Sequence, residues 1–197
     1  MSRYDGSDTY TYPHSEVLQN KAGLHEQADL DAFEADATAV RLLQLIERPI
    51  SGEFDLSHLQ AIHLHLFQDV YEWAGQLRTV DISKGESRFG NCGMIESYLR
   101  GQLGQIKEEN FLRNLPPEMF LQRLAHYLGE INASHPFREG NGRVQRAFCS
   151  QLAEQAGYFI DFDEVSREEM YHAMISSFLG DNAPLIVLLD RICSVIE

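Results

Sequence analysis

The chain has 197 residues, of which 44 % are apolar, and this is enough for one globular domain with a hydrophobic core. Its 16 basic and 30 acidic side chains give a net charge of −14, which argues against a broad nucleic-acid or anionic-membrane surface, because both need positive charge. Three cysteines without a C-x-x-C spacing, and the lack of a long apolar run, predict a cytoplasmic protein with no disulfide scaffold and no membrane span.

The first 20 residues are polar and contain Pro13, which is typical of an irregular N-terminal arm, and residues 21–197 are predicted to form one domain. A first helix is predicted where apolar residues recur every three or four positions, ahead of Pro49. Its buried face is expected to carry Leu30, Phe33, Ala37, Val40 and Leu43. Asp55 is the predicted N-cap of a second helix, and the short turn "VYEWAG" ends on Gly75, a predicted C-cap.

The alternating segment "LRTVDIS", the turn signal "KG" and the segment "SRFG" predict a small hairpin over about residues 77–90. Helices are predicted again at about residues 94–113, 116–133 and Asn141–Ala156. Gly157 would end the last of these, "SREE" at 166–169 is a capping box, and Pro184 can start a final helix. The fold class is therefore all-α, a helical bundle with one β-hairpin.

The stretch "HPFREGNGRVQR", residues 135–146, carries most of the chemistry. Gly140 and Gly142 permit positive φ and a close backbone approach at the start of a helix. The unpaired N–H groups there and the positive end of the helix dipole favour an anion. Arg143 and Arg146 add two permanent cations one turn further along. This arrangement predicts a polyphosphate site.

Three further residues of the stretch indicate a reaction. Glu139 places a negative charge beside the predicted phosphates, which makes sense if Mg²⁺ lies between them. Asn141 can donate to a phosphate oxygen, and His135 can act as a general base near neutral pH. Any one of these features alone is common in a plain helix connector. Their fixed order favours group transfer from a phosphate ester to a hydroxyl.

This stretch resembles the Fic-domain signature, H-x-F-x-[DE]-G-N-G-R-x-x-R, at every specified position. The upstream segment "HLQAIHLHLFQDVYEWAGQLRTVDI" is also similar to the family, so the resemblance covers about residues 50–180. It implies a helical fold with a β-hairpin flap over the active site. It also implies a protein adenylyltransferase, which transfers AMP from Mg-ATP to a Ser, Thr or Tyr hydroxyl of a target protein.

The resemblance implies a role for each motif residue. His135 would deprotonate the target hydroxyl, Glu139 would hold Mg²⁺, and Phe137 would anchor the loop in the core. The phosphates of ATP would be bound by Gly140, Asn141, Gly142, Arg143 and Arg146. Arg146 would contact the γ-phosphate. Gly142 departs from a related branch that has Lys there and phosphorylates its targets.

The family flap pairs with an extended target segment as an added strand, so residues 82–90 should align the incoming hydroxyl. The flap residues implied to dock the target are Ile82, Ser83, Lys84, Gly85, Arg88, Phe89 and Gly90. Lys84 and Arg88 are equally consistent with exposed turn residues that make no specific contact.

Many Fic proteins are restrained by a helix carrying [ST]-x-x-x-E-[GN], whose glutamate pairs with the last arginine of the motif. The chain has no clean copy, since the nearest candidates at 150–155 and 15–20 each fail at one position. The resemblance then implies a separate small antitoxin that acts on Arg146, and a bacterial toxin whose targets are DNA gyrase and topoisomerase IV.

Two alternatives remain. The same scaffold could transfer another phosphate-linked group, such as UMP or phosphocholine, or the chain could be a nucleotide-binding interaction module without catalysis.

Tyr71 and Trp73 are expected in the core. Structural or surface roles are expected for five further histidines, His58, His63, His65, His126 and His172.

Overall fold

A computed structural model describes residues 9–84 and 87–196. Seven α-helices dominate these residues, as the all-α prediction requires: α1 (Gln27–Glu47), α2 (Leu56–Phe67), α3 (Ile95–Glu108), α4 (Pro117–Ser134), α5 (Asn141–Ala156), α6 (Arg167–Phe178) and α7 (Ala183–Ile192). The strands form two small antiparallel pairs: β1 (Ser83–Lys84) with β2 (Ser87–Arg88), and β3 (Tyr158–Ile160) with β4 (Cys193–Val195). None of the described helices is both long enough and apolar enough to cross a bilayer.

Helix α4 is the centre of the bundle and packs against α3, α5, α6 and α7. Its buried side chains recur at helical spacing, as an element surrounded by partners requires. They include Phe120, Leu124, Leu128 and Ile131. Pro117 stands in the first turn, where its missing N–H leaves no hydrogen bond unmade. Because α4 and α5 are adjacent, the loop that joins them is fixed at both ends.

Several helix boundaries follow the local capping signals. The Asp55 carboxylate accepts the His58 N–H at 2.9 Å at the start of α2, as predicted. Ser166 and Glu169 form the predicted capping box of α6. Gly157 ends α5 with φ +93°, also as predicted. Pro184 lies in the first turn of α7, which confirms its predicted place.

Two predicted boundaries are wrong. Gly75 is not a helix C-cap, because α2 already ends at Phe67. Gly75 closes the following turn with φ +81°, where a Cβ would lie 2.9 Å from that of Leu64. Helix α3 ends at Glu108 and not near residue 113, because the backbone of 110–112 has positive φ throughout. The pairing of β3 with β4 was not predicted.

The predicted buried face of α1 is also wrong in its second half. Val40 is 56 % exposed and Leu43 is 64 % exposed. The residues of α1 that are buried are Leu30, Glu34, Thr38 and Leu45. Two of these are polar, so a search for apolar periodicity cannot find the true face.

The hairpin lies where it was predicted, but its strands are shorter. Ser83 pairs with Arg88 and Lys84 with Ser87. Residues 77–82 form no strand, and the backbone N–H of Arg78 donates instead to the Pro136 carbonyl at 2.9 Å. Gly85, predicted at the turn, lies outside the described residues.

The described part of the N-terminal arm, residues 9–20, is irregular but packed. Thr11 and Leu18 form an isolated antiparallel bridge, and Val17 and Leu18 are buried. Lys21 then donates its N–H to the Val70 carbonyl at 2.9 Å. The arm therefore covers part of the core beside α2.

Candidate active site

The motif loop joins α4 to α5 through two left-handed residues. His135 caps the end of α4 with φ +45°, and Gly140 caps the start of α5 with φ +81°. Phe137 is fully buried between them, as expected for a core anchor. Both ends of the loop are thus fixed by helices and its middle is fixed by packing.

Asn141 holds this loop closed. Its side-chain carbonyl accepts the Phe137 N–H at 2.9 Å, and its side-chain NH₂ donates to the Phe137 carbonyl at 2.7 Å. The structure therefore gives the Asn141 amide a role inside the loop. Its implied contact with a phosphate stays a prediction.

Gly140 is required by space as well as by its backbone angle. A Cβ at this position would lie 2.1 Å from Cζ of Phe67, which is fully buried. The Gly140 N–H donates to the Glu139 carboxylate at 2.9 Å. The glycine thus lets α5 begin against α2 and orients the neighbouring carboxylate.

The backbone of Glu139 is supported by His63 from α2. The Gly75 N–H can only donate, so Nδ1 of His63, at 2.7 Å from it, is the acceptor. The proton of the neutral ring is then on Nε2, which donates to the Glu139 carbonyl at 3.2 Å. Burial lowers the pKa of His63 to about 3, so the ring is neutral at pH 7. The imidazole also stacks on Phe137, with centroids 3.9 Å apart.

His135 lies beneath the hairpin. Its ring stacks on Phe89 with centroids 3.8 Å apart, and its Nδ1 is 3.2 Å from the Asn132 carbonyl. Because a carbonyl only accepts, the proton of the neutral ring is on Nδ1, and Nε2 carries the lone pair that a general base needs. Burial lowers the pKa of His135 to about 3. The imidazole is therefore neutral at pH 7.

Arg78 connects the hairpin to this loop, and sequence reasoning missed it. Its guanidinium donates to the carbonyls of His135 at 2.8 Å, Val80 at 2.6 Å and Ser134 at 3.1 Å, and also to that of Gly90. The residue is only 2 % exposed. In an alternating segment an arginine is expected to face solvent, so the sequence carried no signal of this role.

Arg143 is held by α1, a contact that the sequence did not predict. It donates to the buried Glu34 carboxylate at 2.5 Å and to the Thr38 hydroxyl at 3.0 Å. Its guanidinium also lies over the Phe67 ring, 4.7 Å from the centroid. The Glu139 carboxylate is 3.9 Å away. Arg143 is thus oriented before any anion arrives.

Arg146 differs from Arg143. No hydrogen bond or ion pair within residues 9–84 and 87–196 holds its guanidinium, which lies close to Gly142 in the cleft. Burial lowers the pKa of Arg146, and the charge of Arg143 acts in the same direction. An arginine remains a cation even so, and the buried charge favours a bound anion.

These residues line one open cleft with a volume of about 840 Å³. It lies between α1 and α6 and extends under the hairpin. The predicted site residues that line it are Lys84, His135, Glu139, Gly140, Asn141, Gly142, Arg143 and Arg146. Met170, Tyr171 and Met174 of α6 form its apolar side. A cleft of this size and mixed polarity suits a nucleotide-sized ligand.

The flap residues divide into two groups. Lys84 extends over the Tyr171 ring at 5.5 Å, and Arg88 is exposed beside Asp81 at 3.5 Å. Ile82 and Phe89 are buried, and Gly90 donates its N–H to the Ala133 carbonyl. These last three residues support the hairpin from below, so only its outer edge is placed to meet another chain. Ser83 is half-buried in β1.

The comparison with known proteins agrees with this geometry. The Fic/DOC family model matches residues 53–153, just over half of the chain. Protein adenylyltransferase VbhT of Bartonella schoenbuchensis is 46 % identical over 97 % of this chain, which spans only 40 % of that relative's length. "Probable protein adenylyltransferase Fic" of Salmonella typhimurium is 38 % identical over 96 % of this chain and 94 % of its own.

Solved structures give the same result for the fold. The BepC protein of Bartonella tribocorum with bound AMPPNP has a TM-score of 0.88 at 25 % identity and covers 95 % of this chain and 97 % of its own. The N-terminal Fic domain of a Bep effector from Bartonella quintana with bound ADP has a TM-score of 0.89 at 28 % identity and covers 95 % of each chain. Motif, fold and relatives agree, and the chain belongs to the Fic/DOC family.

Proposed function

We propose that the chain is a protein adenylyltransferase that transfers AMP from ATP to a hydroxyl side chain of a target protein. The observation that carries this proposal is a buried, neutral histidine, His135, in the same cleft as the glycine turn and Arg146. The names of the relatives support it, and so do the AMPPNP and ADP bound in the two similar structures.

In the proposed reaction Nε2 of His135 accepts the proton of the target hydroxyl. The hydroxyl oxygen then forms a bond to the α-phosphorus of ATP. The bond from that phosphorus to the bridging oxygen breaks, and pyrophosphate leaves with the electron pair. The protein's contribution is the positioned base and the positioned phosphates.

The outer phosphates of ATP would lie against Arg143 and Arg146, with the N-terminal amides of α5 adding donors. Glu139 would hold Mg²⁺, and its carboxylate fits this role because Mg²⁺ is commonly bound by one or two carboxylates together with phosphate oxygens. The bound ion would neutralise charge on the polyphosphate. No group of three or more His, Cys, Asp or Glu side chains within the described residues could bind a metal ion alone.

The target is proposed to add a strand to the outer edge of the hairpin, which would place its hydroxyl above His135. Strand addition uses main-chain hydrogen bonds, so it needs an accessible edge more than particular side chains. The exposed Arg88 and Lys84 fit such an edge. DNA gyrase and topoisomerase IV remain the proposed targets, in the cytoplasm of a bacterium.

Control of activity is proposed to act at Arg146. A small antitoxin carrying [ST]-x-x-x-E-[GN] would place its glutamate on this guanidinium, which no group within the described chain already holds. Coexpression with a small neighbouring reading frame that carries this motif should suppress transfer. Full activity of such a complex would contradict the proposed partner.

The test of the reaction is labelling of a bacterial lysate by the purified chain with Mg-ATP labelled on the α-phosphate. His135→Ala should abolish the label, whereas His172→Ala, at an exposed position on α6, should leave it unchanged. Label from γ-labelled ATP would indicate phosphorylation instead. Competition by excess UTP or CDP-choline would favour UMP or phosphocholine transfer. A full cellular effect of His135→Ala would favour the interaction module.

A further inference from the structure

Glu34 of α1 is a buried carboxylate that touches the motif from outside it. We propose that Glu34 is a positioning residue, which fixes the Arg143 guanidinium on the cleft wall and thereby sets the affinity for the outer phosphates of the nucleotide. This inference rests on the proposed function, because it takes Mg-ATP as the ligand. It concerns a residue that lies outside the signature and 109 positions before Arg143 in the chain.

The Glu34 carboxylate is fixed on both oxygens. Oε1 accepts from Arg143 at 2.5 Å, and Oε2 accepts the hydroxyl of Tyr71. Burial raises the pKa of Tyr71, as does the adjacent Glu34 charge, so its hydroxyl remains a donor. The Glu34 residue is 4 % exposed. A carboxylate with both oxygens engaged in a buried site cannot rotate away without leaving a polar group unpaired.

Thr38 provides a second contact on the same face of α1. It follows Glu34 by one helical turn, and its hydroxyl donates to the Glu34 carbonyl at 2.7 Å. The hydroxyl oxygen is therefore free to accept from Nη1 of Arg143 at 3.0 Å. The plane of the Arg143 guanidinium is thus fixed by its two contacts with α1 and by the Phe67 ring on which it lies. Its remaining N–H donors are available to a phosphate, since a guanidinium has five.

The charge of Glu34 also separates the roles of the two motif arginines. The two cations lie close enough to repel each other, and after burial the charge of Arg143 is the next cause that lowers the pKa of Arg146. Glu34 offsets part of the Arg143 charge and reduces that repulsion. Arg143 then acts mainly through its orientation, while Arg146, which has no hydrogen bond or ion pair within the described residues, supplies charge to the cleft.

An internal inhibitor is the competing explanation for a glutamate on a motif arginine. An inhibitory carboxylate must occupy the phosphate site and must be able to leave it. Glu34 is part of a helix in the cleft wall, is bonded to Tyr71, and contacts Arg143 and not Arg146. Its removal is therefore expected to weaken nucleotide binding and not to release activity.

The test is calorimetric binding of Mg-AMPPNP to the full chain. Glu34→Gln keeps the shape but loses the charge, and about tenfold weaker binding is expected, as for the loss of one charge-assisted hydrogen bond. Glu47→Gln, at an exposed position of the same helix, should bind like the wild type. In the Arg143→Ala background, Glu34→Gln should cause no further loss, because Glu34 acts through Arg143.

Thr38→Val removes the second contact of α1 with Arg143 without a change of charge, and a smaller loss of affinity is expected. This variant takes the place of Glu34→Gln in the test if Glu34→Gln does not fold. Wild-type affinity in both variants would overturn the inference. Tighter binding or faster transfer by Glu34→Gln would identify an internal inhibitor. Failure of the wild-type chain itself to bind Mg-AMPPNP would overturn the proposed function. The wild-type titration alone therefore separates a failure of the proposed function from a failure of the inference about Glu34.

Discussion

Phe89 of the hairpin stacks on the imidazole of His135, with ring centroids 3.8 Å apart and planes 19° apart. The hairpin is therefore part of the environment of the proposed base as well as the proposed docking surface for the target. Phe89 excludes water from one face of the ring and restricts its rotation. Arg78 fixes the same two segments through the carbonyls of His135 and Gly90.

Replacement of Phe89 by Ala should lower kcat/KM for AMP transfer by about fivefold, because the imidazole loses a stacking contact of about 1 kcal/mol. Mg-AMPPNP affinity should be unchanged, since Phe89 is not among the residues that line the cleft. Phe89→Tyr keeps the ring and should retain most of the rate. Equal rates for the Ala and Tyr variants would contradict this role of the stack.

The pH dependence of transfer should reveal how His135 is buried. Burial lowers the pKa of His135 to about 3, so the base is already neutral at pH 5.5. We expect kcat/KM to lack the acid limb near pH 6.5 that an ordinary histidine would give. In the Phe89→Ala variant the midpoint should move toward 6.5. An acid limb near 6.5 in the wild type would contradict the buried, neutral base.

The same residue should make stability depend on pH. A His135 pKa below its unfolded value means that the unfolded chain binds the additional proton, so the free energy of unfolding falls as the pH drops from about 6.5 toward 3. His135→Asn should reduce this slope in urea titrations, and Asn tolerates the left-handed backbone at this position. His172→Asn, at an exposed site, should leave the slope unchanged.

Gly140→Ala should be strongly destabilising. The new Cβ would lie 2.1 Å from Cζ of Phe67, and φ is +81°, so both sterics and backbone strain oppose it. A loss of about 2–4 kcal/mol in the free energy of unfolding is expected. Gly101→Ala in α3 meets no atom within 4 Å and should stabilise slightly. Thermal unfolding of both variants measures the contrast, and equal melting temperatures would contradict it.

Arg78→Lys should loosen the hairpin while conserving charge. One ammonium group cannot span the four carbonyls that the buried guanidinium contacts, and about 3 kcal/mol of stability should be lost. Hydrogen exchange should show reduced protection of the Phe89 and Gly90 amides, and transfer should slow. Arg88→Lys is the control, because Arg88 is 79 % exposed in its side chain. Unchanged protection of these amides in Arg78→Lys would contradict the role of Arg78 in holding the hairpin to the motif loop.

Local signals in the sequence were reliable where a few neighbouring residues decide the outcome. The Asp55 cap, the capping box at Ser166 and the stop at Gly157 each depend on contacts within one helical turn. The motif at 135–146 was found for the same reason, since its residues stand together in the chain. The boundary assigned to Gly75 failed, because a glycine in a turn and a glycine at a helix end look alike in sequence.

The contacts that position the candidate active site could not be predicted in this way. Glu34 meets Arg143, Arg78 meets His135, and His63 meets Glu139, each across a long separation in the chain. Such pairs form only when helices pack in a particular arrangement, and each buried polar group then needs a partner that the packing supplies.

The sequence by itself thus determined the helices, the hairpin position and the chemical groups of the cleft, because these follow from short-range propensity and from a contiguous motif. Only the tertiary structure decided which face of α1 is buried, and it is the face with Glu34 and Thr38. It also decided that His135 is neutral and that Arg143 is held while Arg146 is available. The physical reason is that burial and pairing are properties of packed surroundings and not of the residue alone.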